Sequence, residues 1–192
     1  MNLAVVFPGI GYHTDKPLLY YSKKLAASLG FEIKEVSYGD IPADVKGSSE
    51  KMNAAFSAAL ARSEAILKDT DFSACGRLLF ISKSLGTVVS TAFAGQHDLK
   101  TENIFFTPVD ATFSLLTQHR QDGIVFHGTK DPWIKTSVVS DACERLALPL
   151  FLTKNGNHSL ETGDVVTDLK NLCPVMEEIR RYIKTGACSH DR

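Results

Sequence analysis

The sequence predicts an α/β fold in which a mostly parallel six-stranded sheet carries helices on both faces. Strand-like apolar runs alternate with helical patterns along the whole chain. Most of these runs are continuously apolar, which is typical of parallel strands that are covered on both sides. No repeat, low-complexity tract or long linker divides the chain. We therefore expect one domain over residues 1–192, with a frayed tail at 185–192.

Six segments have the length and composition of buried strands. They are Leu3–Phe7, Phe31–Ser37, Arg77–Ser82, Asn103–Thr107, Gly123–His127 and Leu148–Leu152.

The helical segments between these runs have recognisable ends. Asp15 is expected to cap a first helix in which Pro17 occupies an early position, where no amide donor is needed. Near the carboxyl terminus Pro174 interrupts a helical pattern. We therefore expect a final helix from Pro174 to Lys184 rather than one long helix from Asp164.

The composition excludes several classes of function. The 192 residues are 44% hydrophobic, enough for a single core, and the net charge is −1 with 21 basic and 22 acidic side chains. This balance provides no basic surface for nucleic acid and no polybasic patch for a membrane. Neither nucleic acid nor a membrane is therefore an expected partner, which leaves small molecules, and the oligomeric state stays open.

The localisation expected from the sequence is cytoplasmic. The amino terminus has no positively charged region before its short apolar run, so it does not resemble a signal peptide, and no segment is long enough to span a bilayer. The 4 cysteines lack Cys-x-x-Cys spacing and are expected to be reduced thiols. They are Cys75, Cys143, Cys173 and Cys188.

A candidate nucleophile lies where the third apolar run meets a helical pattern, in the segment Ser82 to Gly86. A small residue two positions before Ser84 and a glycine two positions after it allow the sharp turn of a nucleophile elbow, which presents a serine hydroxyl above a sheet. The alternative is an ordinary loop followed by a helix cap. The pattern alone does not decide between them.

Two later segments favour the elbow. Asp131 and His158 each follow closely after a strand-like run, downstream of Ser84. A serine hydroxyl becomes nucleophilic when a histidine can accept its proton, and that histidine needs a carboxylate to orient it and to stabilise the imidazolium. The three side chains that this chemistry requires are therefore present in a plausible order.

With these motifs the chain resembles the α/β-hydrolase superfamily, specifically its small, cap-less, dienelactone-hydrolase-like members. The resemblance rests on the elbow, on His127 to Asp131, on Gly156 to His158, and extends from Leu3 to about Lys184. It implies Ser84 as nucleophile, His158 as general base, Asp131 as the acid, and no cofactor. One departure is Ser82, which stands where glycine is commonest in the family.

The resemblance also implies an oxyanion hole made by two backbone amides. One amide is that of Leu85, directly after the nucleophile, at a helix amino terminus. The other comes from the loop after the first strand, where Ile10 is the first choice and Gly9 or Gly11 is an alternative.

Three further side chains are candidates for the border of the substrate pocket: Tyr12, His13 and Trp133. For Tyr12 and His13 the alternative is that they hold the loop by hydrogen bonds, and Trp133 is expected to pack beside the acid loop.

Other residues have a simpler interpretation. Asp110 follows the fourth strand, a position that some hydrolases use for the acid, but a helix cap is favoured. His127 is expected to be a hydrogen-bonded structural histidine, and Lys83 an exposed side chain, although it could attract an anionic acyl group. The remaining histidines lack metal-ligand spacing, so we predict no metal site. They are His97, His119 and His190.

The sequence therefore predicts a serine hydrolase that cleaves a small carboxylic ester, or a thioester or amide, through an acyl-enzyme. One alternative is a catalytically inactive hydrolase-fold binding protein. Another is a Rossmann-type nucleotide-binding module, since Gly9 and Gly11 follow the first strand and Asp40 follows the second. Against that module, the third glycine of its fingerprint would fall at Thr14.

Overall fold

The computed structural model describes residues 1–41, 45, 47–118 and 121–186. The part of the predicted frayed tail that follows residue 186 lies outside the described residues. The same holds for three residues named above, His119, Cys188 and His190.

The centre of the molecule is a six-stranded sheet in the order β2-β1-β3-β4-β5-β6, and every neighbouring pair is parallel. This confirms the predicted α/β class and the number of strands. The strands are β1 (Asn2–Phe7), β2 (Phe31–Glu35), β3 (Arg77–Lys83), β4 (Glu102–Phe106), β5 (Asp122–Gly128) and β6 (Leu150–Thr153).

Helices cover the sheet on both sides, as predicted. The apolar cluster on one face includes side chains of α1 and α6, and the clusters on the other face include those of α2 to α5. The helices are α1 (Pro17–Ser28), α2 (Ser49–Leu67), α3 (Leu85–Gln96), α4 (Asp110–Gln118), α5 (Thr136–Leu146) and α6 (Val165–Thr185). A short 3-10 turn, Phe72–Ala74, precedes β3.

The continuously apolar strands follow from this two-sided covering. Along β1, Ala4 and Val6 pack toward α1 and α6, whereas Leu3, Val5 and Phe7 pack toward α2 and α3. Since successive side chains of a strand point to opposite faces, every position must be apolar when both faces are dry.

The prediction for the last helix was wrong. α6 begins at Val165, after the cap Asp164 accepts a hydrogen bond from the amide of Thr167 at 2.8 Å, and it continues through Pro174. A proline inside a helix removes one hydrogen bond and costs about 3 kcal/mol. Apolar side chains on both sides of Pro174, among them Leu172 and Val175, pack into the core and outweigh that local cost.

The predicted cap of the first helix was also wrong. Lys16 is the residue before α1 and makes no side-chain cap. Asp15 instead accepts a hydrogen bond from the ammonium of Lys23 at 3.0 Å. Pairing with Lys23 of the same helix, whose buried ammonium also binds Glu35 of β2, thus takes the carboxylate that the local pattern assigned to the helix end.

The strand order places a crevice at one end of the sheet. The chain passes from β1 to β2 on one side, and then returns to β3 on the other side of β1. The loops after β1 and β3 therefore leave the carboxyl end of the sheet in opposite directions, and ligands of open α/β sheets bind at such a point.

In the part of the chain that the structure describes, no helix is long and apolar enough to cross a membrane.

Candidate active site

Ser84 occupies a strained turn between β3 and α3. Its backbone has φ 53° and ψ −119°, a conformation that side-chain-bearing residues rarely adopt. The amide of Ser84 donates to the carbonyl of Phe106 at 3.0 Å. A Cβ atom at Gly86 would collide with the carbonyl oxygens of Phe7 and Pro8, so only glycine permits this close approach of α3 to β1.

The unusual Ser82 of the elbow is accommodated by burial. Its side chain is fully buried, and its hydroxyl donates to the carbonyl of Ile104 at 3.3 Å. A buried hydroxyl that has an acceptor costs little. The turn therefore forms with serine where glycine is commoner.

Three predicted residues form a continuous hydrogen-bonded chain. The Oγ atom of Ser84 lies 2.7 Å from Nε2 of His158. On the other side of the ring, Nδ1 of His158 lies 2.7 Å from Oδ2 of Asp131. This arrangement fixes the tautomer of the imidazole that leaves Nε2 free to accept the proton of the serine.

The carboxylate of Asp131 is held in its charged form. Its side chain is fully buried, which by itself raises the pKa, but hydrogen bonds from His158 and from the amide of Trp133 outweigh burial and bring the pKa below its usual value. The amide of Trp133 donates to Oδ1 at 2.9 Å. The two carboxylate oxygens are thus used separately, one for the loop and one for the imidazole.

The loop that carries His158 packs closely against the ends of two strands. A Cβ atom at Gly128, the last residue of β5, would collide with the carbonyl oxygens of Gly156 and Asn157. The hydroxyl of Thr107, after β4, donates to the carbonyl of His158 at 3.0 Å. These contacts fix the backbone of the histidine loop relative to the ends of β4 and β5, and β5 leads directly to Asp131.

This role for Thr107 was not among the predictions from the sequence. The residue is fully buried and has φ 43°, although β-branched residues strongly avoid positive φ. Strain of this kind persists where the surrounding structure enforces it, and it is concentrated at functional sites. No local sequence pattern signals such a conformation.

The predicted oxyanion amides divide into free and engaged groups. The amides of Leu85 and Ile10 make no hydrogen bond to another described residue. The amide of Gly9, by contrast, donates to the carbonyl of Tyr12 at 3.1 Å. Gly9 is therefore not available as a donor, which corrects its inclusion in the predicted hole.

The three predicted border residues have different surroundings. The ring of Trp133 is half-exposed and its centroid lies 5.6 Å from that of His158, so it is part of the site. Tyr12 is buried, and its hydroxyl accepts from the amide of Leu18 at 3.1 Å. His13 accepts from the amide of Asp15 at 3.3 Å. Tyr12 and His13 thus make the loop-holding contacts that were the alternative for them.

Asp110 and His127 also have identifiable environments. Asp110 is exposed and begins α4, and its carboxylate has no hydrogen bond to His158. His127 is fully buried, with Nε2 at 3.3 Å from the hydroxyl of Thr136 and Nδ1 at 3.7 Å from Oδ2 of Asp131. Burial lowers the pKa of His127, which favours the neutral ring.

The expectation for Lys83 was wrong. Its side chain is 2% exposed rather than solvated, and its ammonium lies 5.0 Å from the centroid of the Tyr12 ring. Lys83 is the last residue of β3, and alternation places it on the same face as Leu79 and Ile81, which pack toward α1 and α6. The two-residue period of side chains along β3 was the signal that could have predicted the burial of Lys83.

Two cavities lie beside this end of the sheet. The first, of about 410 Å³, has Tyr12 and Leu18 on one side, Leu160 and Glu161 of the histidine loop on another, and Leu172 of α6 opposite. The second, of about 250 Å³, lies between the loop after β1 and the segment around Tyr38. Neither cavity is lined by Ser84 or His158.

Among the described residues, no cluster of three histidines, cysteines or acidic side chains could hold a metal ion.

Comparison with known proteins identifies the architecture. No family model matches the chain, and no curated protein matches it in sequence. Solved structures do match. An α/β serine hydrolase homologue from Coxiella burnetii is 13% identical, with a TM-score of 0.66, over 94% of this chain and 84% of the other. Est1E from Butyrivibrio proteoclasticus, also solved with ferulic acid bound, is 11% identical, with a TM-score of 0.69, over 96% of this chain and 87% of the other.

A third match is an α/β serine hydrolase without a lid from Xanthomonas campestris. It is 15% identical, with a TM-score of 0.59, over 97% of this chain and 83% of the other. At these identities the similarity establishes the fold: the chain has the α/β-hydrolase fold. Among the described residues, α4 is the only helix between β4 and β5, where a cap would be inserted.

Proposed function

We propose that this chain, with its α/β-hydrolase fold, is a serine hydrolase that cleaves a small carboxylic ester. The observation that carries the proposal is the unbroken chain of short hydrogen bonds from Ser84 through His158 to Asp131, which starts at a serine with a strained backbone. Such a chain converts a weak nucleophile into an effective one.

In the proposed reaction Ser84 attacks the carbonyl carbon while His158 takes the hydroxyl proton at Nε2. The carbonyl oxygen becomes negatively charged in the tetrahedral intermediate and accepts hydrogen bonds from the amides of Leu85 and Ile10. Leu85 is also the first residue of α3, where the helix dipole favours negative charge. His158 then gives its proton to the departing alcohol, which leaves an acyl-enzyme on Ser84.

Hydrolysis of the acyl-enzyme reverses these roles. Water loses a proton to His158 as it attacks the acyl carbon, and the second tetrahedral intermediate releases the acid and restores the hydroxyl of Ser84. Asp131 stays charged throughout and stabilises the imidazolium. Every proton in this cycle moves between Ser84, His158, the alcohol and water, so the proposed reaction needs no further reactant.

The ester is preferred over an amide because an alcohol is a better leaving group than an amine, whereas a thioester passes through the same steps. The leaving alcohol receives one proton from His158, and Trp133 is the half-exposed aromatic surface beside that imidazole. The ferulic acid that is bound to Est1E is itself a carboxylic acid, the class of product that ester cleavage releases.

The test is a matched panel of substrates. The ethyl ester, the ethyl thioester and the ethylamide of one short acid are incubated with the wild-type protein and with Ser84→Ala. We expect turnover of the ester, slower turnover of the amide, and a loss of at least about a thousandfold in Ser84→Ala on each substrate that the wild type cleaves. Equal turnover by Ser84→Ala, or no turnover of any substrate by the wild type, would refute the proposal.

A further inference from the structure

Lys83 is a buried cation that the proposed reaction does not use. It immediately precedes Ser84 and is 2% exposed. Lysine is almost never buried to this degree without a partner, because an unpaired ammonium loses its hydration without compensation.

The other buried lysine among the described residues, Lys23, has carboxylate partners that compensate for the lost hydration of its ammonium. The ammonium of Lys23, which is 8% exposed, lies 3.0 Å from a carboxylate oxygen of Asp15 and 2.7 Å from one of Glu35. For Lys83, no ion pair or hydrogen bond to a described residue accompanies its contact with the Tyr12 ring.

The two carboxylates that act on Lys83 electrostatically do not form an ion pair with it. Asp131 and Glu161 both favour the charged form of Lys83, but burial outweighs them and lowers the pKa of Lys83 to about 7. Asp131 uses its oxygens for His158 and for the amide of Trp133. Glu161 is exposed to solvent. Among the described residues, therefore, none supplies a counter-ion to this ammonium.

The side chain of Lys83 lies against the loop after β1, which carries the predicted oxyanion donor. A Cβ atom at Gly9 would lie 3.1 Å from Cδ of Lys83 and 3.2 Å from Cβ of Ser84. Gly9 is thus the point where the loop, the lysine and the nucleophile meet, and Ile10, the proposed oxyanion donor, is the next residue. An acyl group attached to Ser84 therefore begins at the residue next to Lys83, beside the same loop that Cδ of the lysine borders.

We propose that Lys83 binds a carboxylate on the acyl part of the substrate, so that the preferred esters are half-esters of short dicarboxylic acids. This inference rests on the proposed function, because it assigns the substrate class of the same site. The incoming carboxylate supplies the counter-ion that no described residue provides. Its binding to Lys83 positions the reacting carbonyl over Ser84.

The first test measures binding without turnover. Ser84→Ala is titrated calorimetrically at pH 6 with monoethyl succinate and with ethyl succinamate, in which a neutral amide replaces the carboxylate. We expect the anionic ester to bind at least tenfold more tightly, and this preference to disappear in Ser84→Ala/Lys83→Met. Ser84→Ala/Lys100→Met, which removes an exposed lysine before β4, is the matched control and should keep the preference.

The second test measures ethanol release by the wild type from the same two esters at pH 6 and pH 9. We expect the anionic ester to be preferred at least tenfold in kcat/KM at pH 6 and the preference to decline at pH 9, where Lys83 is neutral. Lys83→Arg, which stays charged, should retain the preference at both values, and Lys83→Met should turn over the two esters about equally. The pH comparison needs no variant and therefore stands even if Lys83→Arg fails to fold.

The outcomes separate this inference from the proposed function. Equal binding of the two esters, or a preference that survives Lys83→Met, overturns the role of Lys83 even when the wild type hydrolyses both esters. An equal loss of turnover on both esters in Lys83→Met also overturns it, because the charge would then act on the reacting carbonyl. Lys83-dependent binding without any turnover supports the recognition of the anion and refutes the hydrolase.

Discussion

The hydroxyl of Thr107 donates a hydrogen bond to the backbone carbonyl of His158 at 3.0 Å. The preceding residue, Phe106, accepts a hydrogen bond from the amide of Ser84 through its own carbonyl, at 3.0 Å. Two consecutive residues at the end of β4 therefore fix the backbones of the proposed nucleophile and the proposed base. The distance between Ser84 and His158 depends on this strand as much as on the two loops that carry them.

Replacement of Thr107 by valine keeps the shape of the side chain and removes its hydroxyl. We expect kcat/KM to fall roughly 10- to 100-fold, because a small displacement of the base is costly for proton transfer. Thr107→Ser keeps the hydroxyl and should stay within about threefold of the wild type. The rates of both variants with one ester provide the measurement.

Thermal unfolding of both Thr107 variants provides the control. The loss of one buried hydrogen bond costs about 1 kcal/mol, so Thr107→Val should remain folded at the assay temperature. If Thr107→Val and Thr107→Ser lose activity equally, the hydroxyl does not position His158.

The identity of the acid is tested by two asparagine variants. Asp131→Asn keeps the shape of a fully buried side chain but favours the wrong tautomer of His158, so turnover should fall on the order of a thousandfold or more. Asp110→Asn changes an exposed residue at the start of α4 and should alter turnover by less than about threefold. The reverse ranking, in two variants with unchanged circular dichroism, would transfer the acid role to Asp110.

The buried lysine makes stability depend on pH in a defined direction. The pKa of Lys83 is about 7 in the folded protein and near its ordinary value when unfolded, so between these values the unfolded chain binds more protons. This group therefore destabilises the fold fully below about pH 7, and its cost declines as the pH rises toward about 10.

Lys83→Met should remove that cost. At pH 6 we expect its free energy of unfolding by urea to exceed that of the wild type by about 1–3 kcal/mol, and the difference to shrink at pH 9. A difference that is equal at the two values would mean that Lys83 is not titrating between them.

The short connection between β4 and β5 predicts a preference for short acyl groups. α4 spans only nine residues, Asp110–Gln118, and leaves no room for a lid. In a series of ethyl esters, kcat/KM should stop rising before about eight acyl carbons, without activation by emulsified substrate.

A steady gain with longer chains would instead connect the cavity of about 410 Å³ beside Leu160 with the site. Leu160→Trp, which fills that cavity, would then shorten the preferred chain.

Much of this molecule follows from local sequence patterns. Each of the six strands was predicted within about two residues of its observed ends, because a strand that is covered on both faces must be continuously apolar. The sequence predicted Ser84, Asp131 and His158 as one site because parallel strands bring their carboxyl ends to one edge of the sheet, and the structure brings these three side chains into hydrogen-bond contact. Strand ends and residue chemistry were sufficient for both predictions.

The residues that the sequence did not reveal depend on contacts between distant segments. Pro174 lies inside α6 because the core holds the helix on both sides of it, and Asp15 pairs with Lys23, whose ammonium also binds Glu35 of β2. The positive φ of Thr107 is imposed by its surroundings, whereas propensity argues against it. Lys83 was assigned to solvent on the basis of its charge, although its position in the alternation along β3 placed it inside.

The central claim is that Ser84 is an activated nucleophile, and a fluorophosphonate probe measures this directly. The probe reacts with a serine hydroxyl only when a base removes its proton, so intact-mass and peptide mass spectrometry should find one adduct per chain, on Ser84. His158→Ala should remain folded and label at least about a hundredfold more slowly. An adduct on a different serine, or a folded protein that hydrolyses esters fully while Ser84 stays unmodified, would contradict the account.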